Sequence, residues 1–257
     1  MIDIHTHILP GIDDGAESFK ESIEILKNAS LCGVTDVVVT PHFILGSDYN
    51  CDNKTKRELL KELKNNIKKE NINIKIHLGN EIFIDNEILK LIKKGQITTI
   101  NSSKYFLFEL PISNNYKGLD EFIFEAKNRG LTPILAHPER YAIFKKNPKK
   151  LFDLVENGVL LQCNIGSFFN KYNKDAKKLV TLLIKHKAVS FIASDTHSAR
   201  DNLYERKNEL IKTLKKYLTD KEIDTLLIEN PRRVLNKEKI KKANYIPIKK
   251  TLLGKWK

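Results

Sequence analysis

The sequence predicts an α/β fold in which seven parallel strands alternate with helices and close into an irregular (β/α) barrel. Short apolar runs rich in β-branched residues alternate along the chain with longer stretches of helical periodicity. Repeated strand–helix units of this kind favour a parallel sheet with its helices outside. The 257 residues fit one domain of barrel size, and no Gly/Ser/Pro-rich linker divides them.

The individual elements follow from local signals. A strand begins at residue 2, and a Ser18-x-x-Glu21 capping box predicts the start of the first helix. Gly33 ends this helix, because glycine readily adopts the left-handed conformation found at helix ends. The six later strands are predicted at residues 34–40, 72–78, 105–110, 131–136, 159–164 and 188–194. The later helices are predicted at residues 54–70, 119–129, 148–157, 174–187 and 203–218.

Histidines and carboxylates recur at the ends of the apolar runs. Because the strands of a parallel barrel end at one rim, we expect these side chains to meet there and form a polynuclear metal site. His5 and His7 lie two residues apart on an extended strand, so they project to the same side and can chelate one ion. Glu81 and Glu109 are candidates because a carboxylate is costly to bury without a cation. The remaining candidates are His42, His137, Asp195 and His197. Two further histidines are interpreted as structural: His77 and His186.

Five motifs follow one another along the chain. The first is Ile2-Asp3-Ile4-His5-Thr6-His7-Ile8-Leu9-Pro10-Gly11-Ile12-Asp13-Asp14-Gly15. The others are Thr40-Pro41-His42, Gly79-Asn80-Glu81, His137-Pro138-Glu139-Arg140 and Ser194-Asp195-Thr196-His197. This series resembles the polymerase-and-histidinol-phosphatase (PHP) superfamily and, more narrowly, the bacterial tyrosine-protein phosphatases that regulate capsule and exopolysaccharide synthesis. It defines a phosphatase domain over residues 1–236, followed by a basic extension over residues 237–257 that we expect to be solvated or to pack on the barrel as a strap.

The resemblance implies a distorted seven-stranded (β/α) barrel of the PHP type that holds three divalent metal ions. The first ion would be held by His5, His7, Glu81 and Asp195. Glu81 would bridge to a second ion, completed by Glu109 and His137. The third ion would be held by Asp14, His42 and His197, and the role of Asp14 rests on the resemblance alone. Imidazole and carboxylate ligands suit manganese, our first expectation, and also iron, zinc or magnesium.

The expected reaction is hydrolysis of phosphotyrosine on a protein, with the tail of a capsule-assembly tyrosine kinase as the expected substrate. Two ions roughly 3.5–4 Å apart would lower the pKa of a bridging water, and the resulting hydroxide would attack phosphorus in line. Arg140, three residues after His137, is the expected phosphate-binding guanidinium. Arg200 is a weaker second candidate, because it follows the final Asp-x-His more closely than in relatives. A phenolate with a conjugate-acid pKa of ~10 leaves without a strong general acid, so none is assigned.

Two alternative functions stay open. The chain could be another PHP phosphoesterase, acting on histidinol phosphate or nucleotides, or a non-catalytic module that binds kinase tails or polyanions. The pattern Cys51-x5-Arg57 formally matches cysteine-dependent tyrosine phosphatases. We interpret this match as accidental, because the intervening residues contain no glycine and no buried strand precedes them. The segment 43–53 is expected to form a rim beside the metals, where Phe43 or Tyr49 could contact an aromatic substrate.

Composition bounds the partners and the compartment. The net charge of +13 arises from 45 Lys and Arg against 32 Asp and Glu, and lysine is spread over the whole chain. No basic stretch interleaves aromatics as a base-stacking platform does, so no nucleic-acid partner is expected. No apolar run reaches the ~20 residues of a membrane span, so membrane contact is expected only indirectly, through the kinase. With no signal peptide visible and an odd count of three cysteines, we expect a cytoplasmic protein.

Overall fold

The computed structural model describes residues 1–113, 116–241, 244–249 and 256. Within these residues nine strands, all paired in parallel, form a three-stranded sheet in the order β1-β2-β4 and a six-stranded sheet in the order β3-β5-β6-β7-β8-β9. The strands are β1 (Ile2–Thr6), β2 (Asp36–Val39), β3 (His42–Phe43), β4 (Lys75–Leu78), β5 (Glu81–Phe83), β6 (Tyr105–Glu109), β7 (Thr132–Ala136), β8 (Leu160–Asn164) and β9 (Phe191–Ala193).

The nine strands occupy seven positions around the barrel. β3 continues the line of β2, and β5 continues the line of β4, since Val39 pairs with Leu78 and His42 then pairs with Glu81. The interruption of the first pair falls at Pro41, which has no N–H to donate to a ladder. The ring returns to β1 through two backbone hydrogen bonds, from Asp195 N to His5 O (3.0 Å) and from His7 N to Thr196 O (2.9 Å). The predicted seven-stranded α/β barrel is therefore confirmed.

Helices surround the strands, mostly where helical periodicity predicts them. The described helices are α1 (Phe19–Leu31), α2 (Asn53–Lys69), α3 (Ile88–Lys93), α4 (Leu119–Asn128), α5 (Ala142–Lys146), α6 (Lys149–Glu156), α7 (Lys174–Lys185), α8 (Lys207–Leu214), α9 (Asp220–Asp224) and α10 (Asn230–Leu235). The short α3, α5, α9 and α10 are not predicted from the sequence, because helices this short carry little periodic signal. Where one helix is predicted over 203–218, a 3-10 turn at Tyr204–Arg206 precedes the shorter α8.

The predicted capping box at α1 is only half formed. Ser18 Oγ accepts a hydrogen bond from Glu21 N at 3.3 Å, as expected of an N-cap. The Glu21 carboxylate, however, accepts from the backbone N–H groups of Glu17 and Ala199 and not from that of Ser18. Glu21 therefore links the start of α1 to the segment that follows β9.

The barrel interior is apolar and is closed at the end opposite the strand carboxyl termini. Ile2, Ile4, Leu107 and Phe191 belong to one buried cluster that also includes Val234 of α10. The Asn101 side chain donates to Leu235 O at 2.9 Å, which ties α10 to the segment before β6. A second buried cluster fills the layer between strands and helices. With its base sealed, the barrel is left accessible at the rim where the strands end.

The extension predicted over residues 237–257 lies only partly within the described residues, since 242–243, 250–255 and 257 fall outside them. Ile240 is buried, and its N–H donates to the Tyr105 hydroxyl at 2.9 Å. Ile246 exchanges two hydrogen bonds with His186, each 2.8 Å long. The described part of the extension is thus a strap packed on the barrel. No helix in the described part of the chain is long and apolar enough to span a membrane.

Candidate metal centre

All nine predicted ligands lie at the rim formed by the carboxyl ends of the strands. Eight of them belong to a strand end or follow it within four residues, and Asp14 lies in the loop after β1. Burial varies systematically across the group. His5, His7, Glu81 and Asp195 are at most 2% exposed, whereas the side chain of Asp14 is 51% exposed. The cluster therefore has a buried floor and a side that is open to solvent.

The buried floor consists of four donor atoms that surround one point. His5 Nε2 lies 3.1 Å from His7 Nε2 and 3.2 Å from both Glu81 Oε2 and Asp195 Oδ1. His7 Nε2 lies 3.2 Å from the same Glu81 oxygen and 3.5 Å from the same Asp195 oxygen. Four ligands arranged tetrahedrally around an ion with bonds of ~2.1 Å would be separated by about 3.4 Å. The separations of these atoms therefore match those of a metal site.

Glu81, Glu109, His42 and His137 form a second group beside the first. His137 Nε2 lies 2.8 Å from Glu81 Oε1 and 3.9 Å from Glu109 Oε2. His42 Nδ1 lies 3.0 Å from Glu109 Oε1 and 3.3 Å from Glu81 Oε2. Glu81 thus presents one oxygen to the first group and the other to His137. This is the arrangement that a bridging carboxylate requires.

The third group lies on the solvent side and contains Asp14, His42 and His197. Asp14 Oδ1 is 3.3 Å from His42 Nε2 and 3.6 Å from His197 Nε2. The rings of His7 and His197 stack with their centroids 4.0 Å apart. His42 differs from its expected position, because its two nitrogens face different groups, Nδ1 the second and Nε2 the third.

Unpartnered polar atoms indicate that cations fit these groups. Six buried side-chain nitrogen and oxygen atoms of the described residues lack a hydrogen-bond partner, and four of them belong to predicted ligands. These four are His42 Nδ1, Glu81 Oε2, His137 Nδ1 and Asp195 Oδ1. A buried polar atom without a partner costs about 1–3 kcal/mol, and a charged one costs more. Divalent ions would satisfy the two carboxylate oxygens in particular.

The electrostatics of the pocket also favour positive charge. Burial by itself would raise the pKa of Glu81, but the neighbouring His5, His42 and His137 hold it well below its usual value. Burial would likewise lower the pKa of His42, yet Glu81 and the other nearby carboxylates raise it to about 12. The ionised Glu81 carboxylate thus favours positive charge on the groups around it.

Three polar residues that sequence reasoning missed hold the histidines and Asp195 in place. Asp13 Oδ2 accepts from His7 Nδ1 at 2.8 Å, which directs His7 Nε2 at the first group. Gln162 Oε1 accepts from His5 Nδ1 at 2.8 Å. The Gln162 amide donates to Asn164, whose own amide donates to Asp195 Oδ2 at 2.6 Å. The sequence signal for this pair was the polar Gln162-Cys163-Asn164 step at the end of an apolar run.

Arg140 lies at the rim beside the first group. Its Nη1 donates to Asp195 Oδ2 at 3.1 Å, and its guanidinium carbon lies 4.6 Å from the centroid of the Tyr172 ring. Its side chain is 28% exposed, so part of the guanidinium faces solvent. Arg200 lies on an exposed 3-10 turn at Ala199–Asp201. Among the hydrogen bonds and ion pairs of the described residues, none joins the Arg200 guanidinium to the nine ligands.

The segment 43–53 is only partly as expected. Phe43 is buried in the core at 7% exposure, so the expectation that it contacts a substrate is wrong. Tyr49 is half-buried, and its ring stacks on His42 with centroids 5.9 Å apart. Burial raises the pKa of the Cys51 thiol, whereas a thiol nucleophile needs a lowered pKa. Arg57 lies within α2, which supports the interpretation of the Cys51-x5-Arg57 match as accidental.

The chain resembles known proteins over almost its whole length. The family model described as capsular polysaccharide synthesis, CpsB/CapC, matches residues 1–236. A putative tyrosine-protein phosphatase CapC of Staphylococcus aureus is 35% identical over 256 residues, which cover 100% of this chain and 98% of the relative. The tyrosine-protein phosphatase YwqE of Bacillus subtilis is 31% identical over 253 residues, 98% of each chain.

A solved structure supports the same relationship. It comes from the crystal structures of YwqE from Bacillus subtilis and CpsB from Streptococcus pneumoniae, described as unique metal-dependent tyrosine phosphatases. The TM-score is 0.88 at 29% identity, with 97% of this chain and 100% of that chain covered.

Proposed function

Because the chain belongs to the CpsB/CapC family of capsular polysaccharide synthesis proteins, we propose that it is a metal-dependent phosphatase that hydrolyses phosphotyrosine on a protein. The observation that carries this proposal is the convergence of nine histidine and carboxylate side chains, several with unpartnered buried atoms, at the open end of the barrel. Imidazole and carboxylate donors without thiolate are suited to metal-assisted hydrolysis.

Three divalent ions are the expected occupants, with manganese preferred over iron, zinc or magnesium. His5, His7, Glu81 and Asp195 would hold the first. Glu81, Glu109 and His137 would hold the second, and Asp14, His42 and His197 the third. When bound, such ions make water nucleophilic near neutral pH and offset charge on a phosphoryl group. Because its two nitrogens face different groups, His42 could help to hold either the second or the third ion.

Side chains at the rim that hold no metal would bind and orient the substrate. The Arg140 guanidinium would donate to phosphoryl oxygens, because its planar fork matches their geometry and part of it faces solvent. Stacking on Tyr172 would limit its rotation. The Tyr49 ring, next to His42, would pack beside the aromatic ring of the substrate. Arg200 stays a second candidate for phosphate binding.

The proposed protein substrate is the tail of a tyrosine kinase of capsule assembly, and the proposed compartment is the cytoplasm. The relatives described as tyrosine-protein phosphatases support a phosphotyrosine substrate. Cys32, Cys51 and Cys163 are all free thiols, which is usual in a reducing compartment.

Metal analysis combined with a substrate comparison tests the proposal. Protein purified without added metal or chelator would be analysed for metal content and then assayed with manganese, iron, zinc and magnesium. We expect a phosphotyrosine peptide to be hydrolysed in a metal-dependent reaction and to be preferred over histidinol phosphate and nucleotides. Preference for either of the latter by a large factor would make the chain a different phosphoesterase. Peptide binding without metal-dependent turnover would make it a binding module.

A further inference from the structure

A cavity lies between α5 and α7. Its volume is about 920 Å³, its walls come mainly from these two helices, and Trp256 of the C-terminal extension also lines it. Two of the lining residues lie close in sequence to Arg140 and Tyr172 at the rim of the barrel. On one side Ala142 follows Arg140 by two residues, and on the other Lys174 follows Tyr172 by two. Since the Arg140 guanidinium lies 4.6 Å from the centroid of the Tyr172 ring, one edge of this α5–α7 cleft lies near Arg140.

The charge of the α5–α7 cleft is more one-sided than that of the chain as a whole. Six lysines line it against a single acid, Asp175, which pairs with Lys178 at 3.0 Å. The six are Lys145, Lys146, Lys174, Lys177, Lys178 and Lys185. The whole chain has 45 basic residues against 32 acidic ones, so a lysine-rich composition by itself does not produce this ratio.

Another surface cavity of the same protein allows the charges that line the two cavities to be compared. The cavity between α1 and α2 is lined by three lysines and two glutamates, and within it Lys27 pairs with Glu70 at 2.7 Å. Its charges therefore nearly cancel. The lysines of the α5–α7 cleft have only Asp175 to offset them within the cleft, so the field there favours anions.

We propose that the α5–α7 cleft binds an anionic peptide segment that flanks the phosphotyrosine, with its carboxylates or additional phosphates against the lysines. This inference rests on the proposed function, since it describes how the same substrate continues beyond the metal centre. The lysines from 174 to 185 extend about 17 Å along α7, at ~1.5 Å per residue, which about five residues of extended peptide would span. The preferred substrates therefore carry their negative charges within about five positions of the phosphotyrosine.

Three matched peptides test the inference. They share one phosphotyrosine and carry neutral, aspartate-rich or additionally phosphorylated flanks, and p-nitrophenyl phosphate serves as a substrate without flanks. We expect the wild-type protein to show a lower KM for both anionic peptides, with the advantage declining as salt is added. A double substitution with one change in each wall, Lys146→Glu with Lys177→Glu, should raise that KM about fivefold or more and leave p-nitrophenyl phosphate hydrolysis unchanged.

A control variant with the same change in net charge separates binding in the cleft from the effect of the protein's overall charge. Lys61→Glu with Lys64→Glu places the new charges on exposed positions of α2, away from the cleft. This control should keep the preference for anionic flanks. An equal loss in the control, or equal KM values for neutral and anionic peptides in the wild type, would overturn the inference.

A binding measurement keeps this inference separate from the proposed function. Fluorescence anisotropy with the aspartate-rich peptide bearing an unphosphorylated tyrosine should show binding that the Lys146→Glu and Lys177→Glu pair weakens. Absence of turnover with every phosphotyrosine substrate would refute the proposed function, while this binding would still support the cleft. The cleft assignment itself fails if a single-stranded oligonucleotide binds there more tightly than the peptide. It also fails if peptide binding appears only after deletion of residues 250–257.

Discussion

At the scale of single residues, Asp13 decides how two of the histidines present their nitrogens. Its Oδ2 accepts from His7 Nδ1 at 2.8 Å and from His42 N at 3.1 Å, and its Oδ1 accepts from Gly15 N at 3.0 Å. Burial would raise the pKa of this carboxyl group, but the hydrogen bond and charge of His7 lower it. The ionised group thus acts as an acceptor for three separate donors.

Replacing Asp13→Asn is expected to weaken metal binding and activity by about 10- to 100-fold, because the amide NH2 group would face a donor. Metal titration of the purified variant and its kcat with a phosphotyrosine peptide would measure the effect. Asp153→Asn, which alters an exposed carboxylate on α6, is the matched control. Unchanged metal affinity in Asp13→Asn would mean that His7 is oriented by other contacts.

Lys56 affects the pH dependence of stability, because its side chain is buried with no exposed surface. Its Nζ donates to Asn80 Oδ1 at 2.6 Å. Burial lowers the pKa of Lys56 to about 8, although Cys51 and Asp52 raise it, and Arg57 lowers it further. The unfolded chain keeps the higher ordinary pKa. Folding therefore carries a free-energy cost that is fully present below about pH 8 and disappears as the pH rises toward ~10.4.

Lys56→Met is expected to increase the free energy of unfolding at pH 7 by about 2 kcal/mol, since relief of ammonium burial exceeds the lost hydrogen bond. Asn80 Oδ1 keeps the hydrogen bond that it accepts from Thr98 N. Urea unfolding at pH 7 and pH 9.5 would reveal the effect, and the gain should shrink at the higher pH. Lys64→Met on the exposed face of α2 should show no such dependence. A gain that is equal at both pH values would contradict the assigned pKa.

At the scale of elements, interrupted strands and one tight loop place the proposed ligands. β2 and β4 each break before a ligand, so that β3 begins with His42 and β5 with Glu81. The loop after β1 folds back until Ala16 N donates to His7 O at 2.9 Å. A Cβ atom at Gly15 would lie only 2.1 Å from that same oxygen. Only glycine therefore permits this loop to place Asp13 and Asp14 beside the metal centre.

Gly15→Ala is expected to displace the loop and reduce metal affinity at least about tenfold, together with a loss of stability of about 1–3 kcal/mol. Gly11→Ala is the control within the same loop. Its φ of +70° adds backbone strain, but no atom lies within 4 Å of the added Cβ. We expect Gly11→Ala to lower the melting temperature slightly and leave the metal affinity unchanged. Equal metal affinities for the two variants would refute the steric argument.

At the scale of the whole molecule, the proposed metal centre joins strands from all around the ring. Its proposed ligands come from the ends of β1 and β9, which are distant in sequence, as well as from β3, β5, β6 and β7. Without cations, Glu81 Oε2 and Asp195 Oδ1 would face only the neighbouring histidines. Bound metal is therefore expected to stabilise the closed barrel as a unit.

Chelation should lower the melting temperature by about 5–10 °C, which is the effect of removing a ligand present at about 100 times its Kd from a domain of this size. Differential scanning calorimetry with and without EDTA would measure it. Asp195→Asn, which lacks one ligand oxygen, should respond less to EDTA than the wild type. An identical melting temperature in both conditions would mean that the ions do not contribute to stability.

The sequence by itself determined the alternation of strands and helices and the placement of ligand residues at strand ends. Both depend on local periodicity, which a linear reading can detect. Glu109 and His137 could be recognised in this way because each closes an apolar run. The interruptions at Pro41 and Gly79 were not predicted. They divide two of the seven predicted strand positions, so that the structure has nine strands.

Only the tertiary structure decided which atoms share a site. Gln162 supports His5 across 157 residues, and Asp195 meets His7 only because β9 returns to β1. The two walls of the α5–α7 cleft likewise come from separate strand–helix units. Such pairings depend on closure of the ring, which no local pattern encodes. Contacts between residues distant in the chain arise from how the elements pack together.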